Sequence, residues 1–248
     1  MSFWWRWLLG MALLGVALMG LWMQQIASHL PDPRPLRDPA WVQQHFSLGT
    51  WTQLDQVPRP ALRCILISED DTFFQNHGVR MDEMGAAAWD DLLAGRYKRG
   101  ASSITQQVVR NAFLSKDKTL SRKLREIFLA SRADSVVGKR RLLEDYLNLA
   151  QWGHPQERGI AWASRQYFGK SVPQLSAIDG AYLSWLLPDP PHRSQAARRG
   201  EMTLAARRHV RLMLRRLARE NDLSDEDTAA LLASPFRLGG LAQAPLKP

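Results

Sequence analysis

The first pattern along the chain is an unbroken apolar run. Trp7 to Met23 reads WLLGMALLGVALMGLWM and carries no charge. At about 1.5 Å of rise per residue it lies near the short limit of a bilayer-spanning helix, and Phe3, Trp4 and Trp5 extend it. Arg6 is placed to snorkel toward headgroups. Tryptophans at both ends, Trp4, Trp5 and Trp7 against Trp22, have the pattern of interfacial anchors. The alternative is a cleaved signal peptide, but MQQIASHLP offers no small-x-small cleavage site after the run. The positive-inside rule barely decides the orientation, because Arg6 precedes the span and Arg34 and Arg37 follow it. The pattern then breaks at PDPRPLRDP, residues 31–39, a proline-rich stretch with little helical capacity. Residues 1–30 are therefore expected to form an anchor and 31–39 a linker.

From Ala40 onward the helical period dominates. Pro60 can open a helix through ALRCILIS. MDEMGAAAWDDLLAG is amphipathic and ends on Gly95, a plausible C-cap. SSITQQVVRNAFL is apolar at Ile104, Val108 and Leu114. TLSRKLREIFLAS places Leu120, Leu124, Ile127, Phe128 and Ser131 on one face, with Arg122 and Glu126 opposite. KRRLLEDYLNLAQWG repeats the pattern at Leu142, Leu143, Tyr146 and Leu147. IAWASRQYFGK, LSAIDGAYLSWLLP and the basic TLAARRHVRLMLRRLAREN give three more helices. Strand signals are few and short. The expected class is mainly α, with a globular domain over 40–195 and a basic helical extension over 196–248.

Composition sharpens this picture in two ways. A net charge of +9 over 248 residues points to an anionic partner: nucleic acid, phosphate-bearing lipid or a membrane surface. The single cysteine, Cys64, excludes an intrachain disulfide framework and a cysteine zinc site. Between Arg96 and Arg141 the basic residues far outnumber Asp117, Glu126 and Asp134. Aromatic residues are not interleaved with that run, which with the membrane span argues against nucleic acid. The terminal helix, Thr203 to Asn221, reads equally as a lipid-surface helix and as a solvated helix packing one apolar stripe.

Three clusters carry candidate chemistry. Glu69, Asp70 and Asp71 follow the apolar CILIS, where lost hydration raises proton affinity and suits a general acid or base. The bland alternative is a solvated turn. In RGASSITQQVVRN a helix start offers amides and the hydroxyls of Ser102, Ser103 and Thr105 to a phosphate, with Gln107 and Arg110 able to share a face with Ser103. An N-capped helix with a polar outer surface explains the same residues. In SRKLREI, Glu126 sits among Arg122, Lys123 and Arg125; alone, this reads as a surface ion pair contributing about 0.3–0.5 kcal/mol. Neither SxxK nor GxSxG occurs, and the six histidines lack HExxH spacing.

Taken in order, EDDTFFQNHG, GASSITQQVVRN, RKLREIFLA, KRRLLEDYLN and ASRQYFGKSVPQLSAIDGAYLS resemble the five motifs of the peptidoglycan glycosyltransferases, family 51. The likeness runs from about Trp51 to Pro190 and looks nearest to the monofunctional, membrane-anchored biosynthetic transglycosylases. It implies a lysozyme-like, mainly helical domain beside the membrane. It also implies polymerisation of lipid II into β-1,4-linked glycan strands, with inversion and release of undecaprenyl diphosphate. Glu69 would be the general base and Glu126 would assist departure of the diphosphate. The implied substrate-binding residues are Asp70, Phe73, Asn76 and Ser103, with Gln107, Arg110, Arg122 and Lys123.

The resemblance further implies lipid II, the growing lipid-linked strand and the membrane as partners, with division or elongation proteins as recruiters. The implied location is the bacterial inner membrane, single-pass, with the domain on the periplasmic side. A divalent ion, Mg²⁺ or Mn²⁺, near Glu126 is implied, and no organic cofactor. The chain departs from the family pattern in placing Asn76 for His, Arg80 for Asp, Ser103 for Thr, Arg110 for Lys, and Asp134 and Asp179 for Glu. Two other readings stand beside this one: a non-catalytic relative that binds lipid II or a division partner, and a lysozyme-like enzyme that cleaves glycan.

Overall fold

The computed structural model describes residues 3–80, 102–115, 117, 119–236 and 238. The helix expected over MDEMGAAAWDDLLAG lies outside the described residues. Helices account for the regular structure: α1 (Phe3–Ser28), α2 (Pro39–His45), α3 (Arg59–Glu69), α4 (Ile104–Phe113), α5 (Leu120–Val137), α6 (Lys139–Leu149), α7 (Ile160–Phe168), α8 (Ala177–Leu186), α9 (Pro190–Arg198), α10 (Leu204–Arg219) and α11 (Asp225–Ala233). The described residues contain no strand, only an isolated antiparallel bridge between Gln151 and Arg158. The mainly α class expected from periodicity is the class observed.

α1 is long and apolar enough to cross a membrane and is exposed along almost its whole length, as a single-pass anchor would be. Near its end it meets the domain, where Ile26 is buried. The proline-rich stretch, expected as a linker with little helical capacity, is docked on the domain. It forms a 3₁₀ turn, Arg34–Arg37, whose Leu36 is fully buried. Arg37 Nε donates to the Val136 carbonyl at 2.6 Å, and Arg141 Nε donates to the Leu36 carbonyl at 2.8 Å. Prolines here fix φ in a docked turn, so the domain is held against the membrane end of the anchor.

The core is built around α3 and α8. They approach so closely that a Cβ on Gly180 would meet the Ala61 Cα at 2.3 Å, so only glycine fits there. The basic α10, within the expected C-terminal helical extension, packs into this core. Val210, Leu214 and Leu217 are fully buried on it. Ion pairs tie it back to the end of α3: Arg63 Nε to Asp222 at 2.8 Å, Arg63 to Glu220, and Arg216 to Asp71 at 3.0 Å. The stripe-packing alternative for this helix is the one the structure contains on its inner side.

On α5 the buried face differs from expectation. Leu120 is exposed and Ser131 faces solvent, while Glu126, Leu129, Ala130 and Ala133 are buried. The apolar stripe is rotated toward the acid because Glu126 enters the interior together with its cations.

Candidate active site

The three consecutive acids point three ways, and the end of α3 is what separates them. Glu69 is the last helical residue, and Asp70 leaves the helix with φ −163°. Glu69 stays half-buried, and Gln107 Nε2 donates to its Oε2 at 2.8 Å. The buried Tyr146 hydroxyl lies beside this carboxylate without meeting hydrogen-bond geometry. Desolvation is the main influence on Glu69 and holds its pKa above the ordinary glutamate value, against the opposing pull of Gln107, Arg110 and Arg80. Asp71 is the outward member, paired with Arg216.

Asp70 turns inward and is fully buried. Its Oδ2 accepts from the Ile104 backbone N–H at 3.0 Å, and the Asn76 amide donates to both its oxygens at 3.0 and 3.2 Å. Asn76 Oδ1 in turn accepts from Lys139 Nζ at 2.9 Å, and Lys139 pairs with Asp134 at 2.7 Å. Lys139 also lies over the ring of the buried Phe73, 4.6 Å from its centroid. Ser103 is buried as well: its hydroxyl donates to the Gly78 carbonyl at 2.6 Å and accepts from the Gln106 N–H at 3.0 Å, capping α4. Of these four expected substrate contacts, Asp70, Phe73 and Ser103 are buried and Asn76 is half-buried, and Asp70 with Ser103 ties the N-terminus of α4 to the segment that follows α3. Arg80 joins them, donating to the Glu69 carbonyl oxygen at 3.1 Å.

That arrangement makes a specific prediction. Asn76→Ala strips the buried Asp70 of the amide nitrogen that bridges both its oxygens and costs about 1–3 kcal/mol. At about 2–4 °C per kcal/mol for a domain of this size, thermal unfolding should fall by several degrees. An unchanged midpoint in a melt followed by circular dichroism would remove the positioning role.

The second centre is Glu126, fully buried and therefore not the surface ion pair its segment suggests in isolation. Arg122 Nη1 donates to Oε2 at 2.5 Å and Lys123 Nζ to Oε1 at 2.5 Å. Gln106 Nε2 makes a long bond to Oε1 at 3.4 Å, and Arg110 Nη1 stands 4.0 Å from Oε2. Lys123 also donates to Ser102 at 2.9 Å. The cations are more exposed than the acid: 17%, 22% and 36% for the side chains of Arg122, Lys123 and Arg110 against none for Glu126. Three guanidinium or ammonium groups over one carboxylate leave a formal surplus of +2 turned toward solvent, which suits a multivalent anion.

The expected divalent ion near Glu126 does not fit these residues. Both carboxylate oxygens are engaged by cations, and a further positive charge would be repelled. No group of three metal-ligating side chains occurs among the described residues.

The two centres are coupled through one dipeptide. Gln106 reaches Glu126 and Gln107 reaches Glu69, so consecutive residues of α4 hold the two glutamates in fixed relation. Sequence reasoning had placed Gln107, Arg110, Arg122, Lys123 and both glutamates here, and the structure gathers them. It had not assigned Gln106, Tyr146 or Lys139. The S-x-x-Q capping signature at Ser103–Gln106 was the readable signal for the first. Beyond Asn111, one turn along α4, a groove of about 880 Å³ opens between the 45–50 loop and α7.

Residues 41–217 match the family model described as transglycosylase. A biosynthetic peptidoglycan transglycosylase of Nitrobacter winogradskyi is 38% identical over 144 residues, covering 58% of this chain and 63% of the relative. Its namesake from Rhodopseudomonas palustris is 37% identical over 177 residues, 69% of this chain and 74% of the relative. Penicillin-binding protein 1A of Escherichia coli is 39% identical over 137 residues, 55% of this chain but 16% of that much longer protein. The chain spans 63% and 60% of the two Nitrobacter relatives it matches. With the family model covering well over half of its length, the chain belongs to the transglycosylase family, whose domain has the lysozyme-like glycosyltransferase fold.

Proposed function

We propose that the protein polymerises lipid II into β-1,4-linked glycan strands, with Glu69 as general base and the Arg110–Arg122–Lys123 cluster receiving the leaving diphosphate. The observation that carries this reading is the pairing of a proton-hungry, desolvated carboxylate with a cation-rich anion site, each held by one of two adjacent glutamines. In the step, the 4-hydroxyl oxygen of the acceptor sugar forms a bond to the anomeric carbon of the donor. The anomeric C–O bond to the diphosphate breaks, and its electron pair leaves on the phosphate oxygen. The hydroxyl proton passes to Glu69 and from there to water. The geometry supports three contributions: a base whose pKa is closer to neutrality than a solvated glutamate, cations where negative charge accumulates, and lipid substrates confined to the plane of the anchor.

Glu126 acts through its partners in this reading, keeping Arg122 and Lys123 aimed at one place. Docking of the Leu36 turn against α5 and α6 supports a cleft close to the bilayer. In this reading the domain lies on the periplasmic side, where lipid II is presented. The surplus of cations beside the second glutamate favours a diphosphate donor over the cleavage of finished glycan. The test is polymerisation of labelled lipid II by the detergent-solubilised full chain. Glycan strands in the product support the reading. Release of muropeptides from purified sacculi, without strand synthesis, would replace it with the cleaving alternative.

A further inference from the structure

Tyr146 of α6 is fully buried, and its hydroxyl meets no hydrogen-bond partner among the described residues. A phenyl ring would fill the same space, so packing accounts for the ring and not for the oxygen. A buried hydroxyl without a partner is a cost to the fold. Its setting is rigid. α6 packs against α4, and Leu142, Leu143 and Leu147 are buried beside Tyr146. Two residues on, Asn148 accepts from the Thr52 N–H at 2.9 Å and donates to the Thr52 carbonyl at 2.8 Å, which braces the end of α6. The phenol is therefore held in place by the fold itself.

Two carboxylates act on that phenol, those of Glu69 and Asp70. Asp70 is already engaged by the Ile104 N–H and by Asn76. Glu69 receives the Gln107 amide on Oε2 at 2.8 Å and stands beside the hydroxyl. We infer that Tyr146 is a positioning residue for the base: its O–H donates to the ionised Glu69 carboxylate and, together with Gln107, fixes which lone pair is left for the acceptor hydroxyl. This rests on the polymerising reading above. Desolvation is the main influence on Glu69 and raises its pKa. A donor to the charged form works against it, as Gln107 and Tyr146 do. The charged groups that also face Glu69, Arg110 from α4 and Arg80 from the segment after α3, act in the same direction. Burial, and after it the Glu69 charge, push the phenol's own pKa well above its usual value, so Tyr146 keeps its proton and remains a donor.

The test removes one oxygen. Tyr146→Phe keeps the ring and, by taking away an unpartnered hydroxyl, should leave the melting midpoint equal to or above the native one. The pH at which lipid II polymerisation climbs should move up by about one pH unit, so activity on the rising limb falls about tenfold and the deficit narrows past it. A second readout needs no turnover. In the full chain in detergent, carrying glutamate labelled with ¹³C at the side-chain carboxyl, the Glu69 signal is the one missing from Glu69→Gln. Its titration midpoint should rise in Tyr146→Phe by the same amount as the limb. A tyrosine that served only the fold would change the melting curve and leave the Glu69 titration where it was, and that result overturns the inference. A native chain that makes no strands while the variant shows the shifted titration refutes the polymerising reading and leaves the Tyr146 contact standing. A chain that makes strands with an unmoved titration does the reverse, so the two readings fail separately.

Discussion

Glu69→Gln should lower lipid II polymerisation by about 10²–10⁴-fold, the span expected when a general base is lost from a reaction of this kind. The substitution is close in shape, and an amide oxygen at the same position can still accept from Gln107. Its effect on stability has a definite sign. The folded pKa of Glu69 is raised, so its carboxyl contributes stability below the unfolded value, and that contribution is lost as pH rises through the folded value. The neutral variant escapes that loss. At pH 8 it should unfold at a temperature equal to or above that of the parent chain, so lost activity cannot be ascribed to lost fold. The same shift fixes the direction of the rate profile. A base must be unprotonated, so activity should climb with pH through a value above the ordinary glutamate range, and that limb should vanish in the residual activity of the variant. More than a tenth of native activity in Glu69→Gln would end the assignment of the base.

Both glutamates were singled out in the sequence by the resemblance of five ordered motifs, since locally each also fitted a bland reading, a solvated turn for Glu69 and a surface ion pair for Glu126; Asp71, after the same CILIS, is indeed exposed. Helices were legible locally, since a 3.6-residue period reports a buried face directly. Long-range choices were not. Nothing in PDPRPLRDP says that Leu36 will be buried, because its partners are the Val136 carbonyl and Arg141, some hundred residues away. The face of α5 was misjudged because periodicity counts apolar residues, whereas Glu126 is buried through charge pairing that no hydrophobic pattern records. Ser103 and Asp70 show a related limit. A hydroxyl at a helix start and an acid beside a base read equally as ligands and as caps, and only burial decides between them. The substitution of Asn76 for the family histidine became interpretable only once its amide was seen to satisfy Asp70 and Lys139 together.

The largest effect on stability should come from Glu126→Ala. Arg122 and Lys123 would keep their charges with no other acidic partner among the described residues, and removing one member of a buried ion cluster costs about 3–5 kcal/mol. At about 2–4 °C per kcal/mol this corresponds to roughly 6–20 °C in thermal midpoint. Loss of activity in that variant would therefore say little about the reaction. The informative comparison changes the whole cluster. Replacing Arg122, Lys123 and Glu126 together by Met, Met and Leu removes the buried acid with its two closest cations, leaves only the more exposed Arg110 and fills similar volume, and such exchanges are often neutral or stabilising. Most of the lost stability should return. Polymerisation should not, because Arg110 alone would face the leaving diphosphate with one charge where the native site presents a surplus of two. A cluster that existed only to hold the fold would let the triple variant work as well as it folds. Recovery of strand synthesis alongside recovery of the melting temperature would thus refute the anion-site role. A stable but inactive triple variant would separate the charge needed for the reaction from the charge needed for folding.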